Sequence, residues 1–228
     1  MLALNRIAQR NGSGDLAEVH LQPITDTIKS LPTNLATPLY LPKVGSNAEM
    51  DEEETREALR RFVNDWRGLI GANPSQLSLV ERVDQADRTK IARYEQRPFR
   101  YPLRGDYGKL EIHFTADRRL LNLSSSSIPE AERLQAVLAN ITPRLTAEEA
   151  IGHVRDNGVE YTDSLGNQQT YKVSVNNELS LSELVTYALP SGSADALEIF
   201  IAWEIAISNA PFKTVYLDAL NAENLAVR

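Results

Sequence analysis

Apolar residues Ala58, Leu59, Phe62, Val63, Trp66, Leu69 and Ile70 recur at the spacing of one helical face. Asp51-Glu-Glu-Glu54 precedes them and puts negative charge at the positive end of the helix dipole, so this acidic run reads as a helix start and not as a metal site. Gly71 ends the helix, and Asn73-Pro74 blocks its continuation. Upstream, residues 1–50 carry little regular pattern. Residues 17–22 alternate and predict a strand. Pro23, Pro32, Pro38 and Pro42 punctuate an extended region, expected to wrap a neighbouring surface without a core of its own.

Strands follow the helix. Residues 77–83 read as one, 84–89 as a turn and 91–96 as a second strand. Leu110, Ile112 and Phe114 share one face of a third, with Glu111, His113 and Thr115 on the other. Ala116-Asp117-Arg118 turns the chain, and Leu121 and Leu123 return on the next strand. Four serines, 124–127, read as a loop rather than as a source of a nucleophile.

The second half repeats the order. Pro129 suits a first helical turn, and Leu134, Val137 and Leu138 predict a short amphipathic helix. Thr146 with Glu149 three residues on is a capping box, followed by a stripe of Ala150, Ile151 and Val154 and a stop at Asn157-Gly158. Tyr161 and residues 171–175 flank Leu165-Gly166-Asn167, a hairpin signal. Residues 183–189 alternate, and 190–195 form a Ser/Gly loop. Ile199, Ile201, Trp203, Ile205 and Ile207 hold strict period two, with Glu204 opposite. Asn209-Ala210-Pro211 turns the chain, Val215 and Leu217 lead back, and a turn at 220–223 leaves Leu225 and Val227 for a terminal strand. Helix-then-strands therefore occurs twice, dividing near residue 128. The pattern predicts an α+β protein with an extended segment at 1–50 and units at 51–128 and 129–228, each a sheet with a helix on one face.

Composition narrows the function classes. Lys and Arg number 24 against 31 Asp and Glu, a net charge of −7, which argues against nonspecific nucleic-acid binding. Basic residues cluster at 88–90 and 97–104, with Tyr94, Phe99 and Tyr101 interleaved, but in this acidic chain they read as strands facing water or an acidic partner. With no cysteine in 228 residues, disulfides, cysteine-based zinc sites and thiol catalysis are excluded. No apolar run approaches the roughly 20 residues of a membrane span. The first ten residues are too polar for a signal peptide, so either the protein stays in the cytoplasm or an export signal lies outside this sequence.

Candidate chemistry is sparse. His20, His113 and His153 lie far apart, and no His-Glu-x-x-His is present. Neither Gly-x-Ser-x-Gly nor a phosphate loop occurs, and no carboxylate spacing marks an acid/base pair. Some polar residues exceed what a plain fold asks for: Arg93 and Gln96 within a strand, Trp203 beside Glu204, and Asp218-Ala219 closing the last hairpin. A structural task is open to each. Gln96 can bond to a loop backbone, and Asp218 can satisfy amides in the turn.

These residues carry a resemblance. Leu69-Ile70-Gly71, Pro74 to Leu77, Arg93-Tyr94-Glu95-Gln96 and Pro102-Leu103-Arg104-Gly105 stand in order, followed by Glu149-Ala150, the long strand through Trp203, and Val215-Tyr-Leu-Asp-Ala219. The series, over roughly residues 50–228, resembles the FTP and PepSY propeptide modules of thermolysin-like and fungalysin-like secreted metalloproteases. The resemblance implies two cystatin-like or PepSY-like units with antiparallel sheets, and a chain that is not an enzyme and carries no cofactor or metal. It implies an intramolecular chaperone and inhibitor whose partner is a zinc metalloprotease catalytic domain, in cis or in trans, in a secreted or cell-envelope setting. It marks Arg93, Tyr94, Gln96, Pro102, Gly105, Trp203 and Asp218 as motif or partner-contact residues. Two departures stand out. Asp106-Tyr107-Gly108 reads as a short insertion, and Asn221-Ala222 stands where the family has a glycine. Alanine resists positive φ, so another turn type is expected there. Two other classes stay open: a free-standing protein-binding module of the cell envelope, and an enzyme built on a cystatin-like sheet with a cleft.

Overall fold

The computed structural model describes residues 19–31, 38–46, 49–86, 88–174 and 176–228, with the backbone alone at Ser182. Pro32, Val175 and the start of the strand expected at 17–22 lie outside the described residues. The architecture is α+β, and contacts divide the chain into two discontinuous units. The first comprises 1–98, 106–133 and 190–197, and the second 99–105, 134–189 and 198–228.

In the first unit, β1 (His20–Leu21) pairs antiparallel with β2 (Ile28–Ser30). Helix α1 (Glu52–Asp65) starts at a capping box: Asp51 Oδ1 accepts from the Glu54 N–H at 2.8 Å, and Glu54 Oε2 accepts from the Asp51 N–H at 3.2 Å. The helix breaks at Trp66 and resumes as α2 (Arg67–Ile70). Gly71 then takes φ +80°, where an added Cβ would lie 2.5 Å from Thr27 Cγ2. A short 3-10 turn, Pro74–Gln76, leads to β3 (Leu77–Asp84) and β4 (Thr89–Gln96). β5 (Leu103–Arg104) belongs to the second unit; β6 (Lys109–Thr115) and β7 (Leu120–Ser125) return to the first. The sheet runs β3-β4-β6-β7 with every pairing antiparallel. The apolar face predicted for 58–70 is buried with Leu110, Ile112, Phe114 and Leu123 in one core. A fully buried side chain of this size stabilises by about 1.5–3 kcal/mol, so this face fixes the helix on the sheet.

Ile28, Leu31, Leu39, Leu41 and Met50 are buried in the same core. Two expectations for this half change. Leu121 is 40% exposed and Leu120 is buried instead. The register slips there, with Phe114 opposite Leu120 and His113 opposite Asn122, so Leu121 is the extra residue of a bulge. The serines at 124–127 are not simply a loop: Ser125 ends β7, and Ser125 and Ser127 are buried.

In the second unit, α4 (Ala147–Asn157) starts at the expected box between Thr146 and Glu149. Ala150 and Val154 pack with Val159, Ile205, Val215 and Leu217, while Ile151 is half-buried. The preceding helix, α3 (Ala131–Leu138), whose first three residues belong to the first unit, buries Ala131 and leaves Val137 62% exposed. Amphipathic spacing tells which side chains share a face, and here no buried stripe forms from Leu134, Val137 and Leu138. β8 (Val159–Thr162) and β9 (Gln168–Tyr171) form the expected hairpin. The main sheet runs β13 (Asn224–Val227), β12 (Thr214–Asp218), β11 (Leu197–Ile207), β10 (Leu179–Pro190) and β5. β5 is parallel to β10, so this sheet is mixed where an antiparallel one was expected. Ala222 adopts φ +63°, against the expectation that alanine would select another turn. The turn is held by Ala222 N–H donating to the Asp218 carbonyl at 3.0 Å and Asp218 N–H donating to that of Glu223 at 2.8 Å.

Candidate functional site

β4 sorts its motif residues by alternation. Arg93 points to the polar face of the first sheet, where register aligns Glu81, Arg93, Glu111 and Ser124 across all four strands. Arg93 Nε donates to Glu111 Oε2 at 2.6 Å, its NH1 donates to Glu81, and the other Glu111 oxygen meets His113 Nε2. The His113 and Arg93 contacts, in that order, hold the Glu111 carboxyl below its ordinary range. A cavity of about 460 Å³ opens on this face, lined by Arg93, Glu95, Lys109, Glu111, Ser124 and Ser126 among others. Its charges alternate in sign and Arg93 is matched on both sides, so the face is an ion-pair ladder able to hold polar groups at its rim.

Tyr94 and Gln96 point the other way. Tyr94 sits between Leu79 and Leu110 in register, and burial pushes its phenol up to about 12. Gln96 is 1% exposed and bonds twice to Ile128: its Nε2 donates to the carbonyl at 2.9 Å, and the Ile128 N–H donates to Oε1 at 2.8 Å. Beside it lies a hydroxyl network that the sequence did not signal. Ser125 Oγ donates to the Ile70 carbonyl at 2.6 Å and accepts from the Ser127 hydroxyl and N–H, each at 3.1 Å, and Thr27 Oγ1 donates to the Ser125 carbonyl at 2.8 Å. These bonds satisfy the end of α2 and tie β7 to the chain near β2.

The remaining motif residues belong to the second unit. The Pro102 carbonyl accepts from the Thr186 N–H at 2.9 Å, which starts the β5–β10 pairing. Gly105 follows at φ +95°, with Ala188 O only 3.4 Å from where a Cβ would lie. Between them, Arg104 NH2 donates to Glu183 at 2.8 Å and its Nε to Glu204 at 3.4 Å. Tyr216 Oη donates to the other Glu204 oxygen at 2.9 Å. Burial and then this carboxylate raise the Tyr216 phenol. Tyr187 packs against Tyr216 with ring centroids 4.4 Å apart and planes tilted by 34°, and its buried hydroxyl has no hydrogen-bond partner among the described residues. The alternation of 199–207 placed Glu204 opposite the isoleucines, but its partners could not be read from the sequence.

Trp203 Nε1 donates to the Leu145 carbonyl at 3.0 Å, just before the cap of α4. Asp218 is buried, and its Oδ1 accepts from the Leu220 N–H at 2.8 Å. The Ala219 carbonyl accepts from the N–H groups of Arg144 and Leu145 at 2.8 and 3.0 Å. Trp203 and Asp218-Ala219 thus both fix where α4 begins.

Within the first unit, Arg93, Tyr94 and Gln96 share a strand but face opposite sides; within the second, Pro102, Gly105, Trp203 and Asp218 make separate contacts. His153 lies on α4 beside Asn157, and His20 on β1. Among the described residues no cluster of three or more metal-ligating side chains is placed to hold an ion, and no helix is long and apolar enough to cross a membrane. No protein-family model matches the sequence, and no curated protein matches it. The resemblance to metalloprotease propeptides therefore rests on the motif residues themselves.

Proposed function

We propose that this chain is a propeptide-like, non-catalytic module. Its two cystatin-like or PepSY-like units assist the folding of a secreted zinc metalloprotease catalytic domain and hold it inactive, in cis or in trans. The observation that carries the reading is the structural work done by the motif residues. Gln96 locks the end of β4 to Ile128, and Asp218-Ala219 locks the last hairpin to the start of α4. Motifs spent on such ties make a stiff scaffold, and stiffness lowers the entropic cost of presenting a surface to a partner. Inhibition by such a module needs occlusion of a cleft and no chemistry of its own.

The test mixes the purified chain with a thermolysin-like or fungalysin-like catalytic domain from the same source. Refolding yield and peptide hydrolysis are followed at micromolar chain. Faster recovery of the denatured domain and loss of hydrolysis are expected. Absence of binding, inhibition and refolding assistance overturns the reading.

A further inference from the structure

Among the described residues, a chain segment lies along one edge of the first sheet and none along the other. On β7, the Leu120 N–H donates to the Leu39 carbonyl at 2.8 Å, and the neighbouring Leu41 N–H donates to that of Arg118 at 2.9 Å. β3 is outermost at the opposite side, and among the described residues no strand pairs with its free edge. An edge strand offers backbone donors and acceptors to any extended chain that reaches it.

Beside this edge runs an apolar groove between β3 and α1. It consists of two adjoining hollows of about 230 and 190 Å³ that share Arg56, Leu79 and Tyr94. Leu59, Val63, Pro74 and Leu77 complete the apolar lining. Leu79 is 41% exposed.

The groove's rim is cationic. Of its four charged lining residues, Glu52, Arg56, Arg60 and Arg82, three are arginines. Glu52 stands 3.6 Å from Arg56 and 3.7 Å from Arg82, and Glu57 takes both Arg60 and Arg61 at 2.7 Å. In each cluster one carboxylate answers two guanidiniums and leaves one positive charge in excess. This occurs in a chain of net charge −7.

We infer that the groove binds an extended peptide segment whose every second side chain, all on one face of the strand, is in turn apolar and acidic. Its apolar side chains rest on Leu79 and Tyr94, and its carboxylates face Arg56 and Arg82. Strand addition supplies main-chain bonds, the hollows select alternate side chains, and the arginines select charge. A second copy of the chain is a poorer occupant. A like edge would set arginine against arginine. The inference rests on the protein-binding reading but names a segment as the partner, and its test contains no protease.

The probe is a fluorescein-labelled peptide of about six residues, a typical strand length, in which Leu or Val and Asp take turns at every second position with Thr between them. A counterpart carries Lys in place of Asp. Titration with the full chain, read by anisotropy, is expected to saturate in the micromolar range for the acidic peptide only. Leu79→Asp weakens binding by about tenfold or more, as expected for loss of a central apolar contact. Arg82→Glu combined with Arg56→Glu transfers preference to the Lys peptide. All three side chains are partly or largely exposed, so thermal melts should match the parent; should Leu79→Asp unfold, the charge-reversed pair decides. No saturable binding, equal binding of both peptides, or binding indifferent to the substitutions overturns the inference. A chain that binds the acidic peptide yet leaves the protease untouched removes the propeptide reading alone.

Discussion

Gln96 and Ile128 exchange two hydrogen bonds, side-chain amide to backbone, across 32 residues of sequence. Both residues are at most 2% exposed, so neither bond has water as a substitute. Gln96→Leu removes both and leaves a buried N–H and carbonyl unpaired. The expected loss is about 2–4 kcal/mol, read as a lower urea midpoint at unchanged slope. Gln96→Glu keeps an acceptor for the Ile128 N–H but turns a carboxylate oxygen on the carbonyl, and is expected not to rescue stability.

Gly105 guards the entry of β5 into the second sheet. At φ +95°, with Ala188 O 3.4 Å from where a methyl would lie, alanine is strained by backbone and by contact alike. Gly105→Ala is expected to cost upward of about 1 kcal/mol. Exchange of the Thr186 amide, which donates to the Pro102 carbonyl, should speed up selectively.

Ala222 is the reverse case. It holds φ +63° in the last turn, a conformation glycine adopts without penalty. Ala222→Gly is expected to stabilise by about 0.5–1 kcal/mol, less whatever the methyl contributes to packing, and to raise the melting temperature.

Glu57 couples helix α1 to pH. Hydrogen bonds from Arg60 and Arg61 lower its pKa from 4.5 to about 2. A carboxylate with a depressed folded-state value stabilises above its unfolded value and loses that contribution as pH falls through the folded one. Stability should therefore decline between 4.5 and about 2 through this group. A carboxyl-carbon titration by nuclear magnetic resonance should show a midpoint near 2, and Glu57→Gln should flatten the stability profile over that interval.

Local signals carried the α+β reading. The stop at Gly71, the capping box at Thr146, the stripe from Ala58 to Ile70 and the alternation of Leu110, Ile112 and Phe114 all act within a turn or a strand, and each appears in the structure. The structural tasks open to Gln96 and Asp218 were also legible, because a buried polar side chain beside a turn has backbone groups to satisfy.

What the sequence determined by itself is therefore the kind and order of the elements and which side chains share a face. Tertiary structure alone decided what each face meets. It placed Leu103-Arg104 in the second sheet, where Arg104 reaches Glu183 across 79 residues, and it turned Leu121 outward at a bulge. It left Val137 exposed and buried Ser125 and Ser127. The physical reason is range: periodicity and caps are set by neighbours along the chain, whereas strand partners, bulges and buried hydroxyl networks are set by groups that only folding brings into contact.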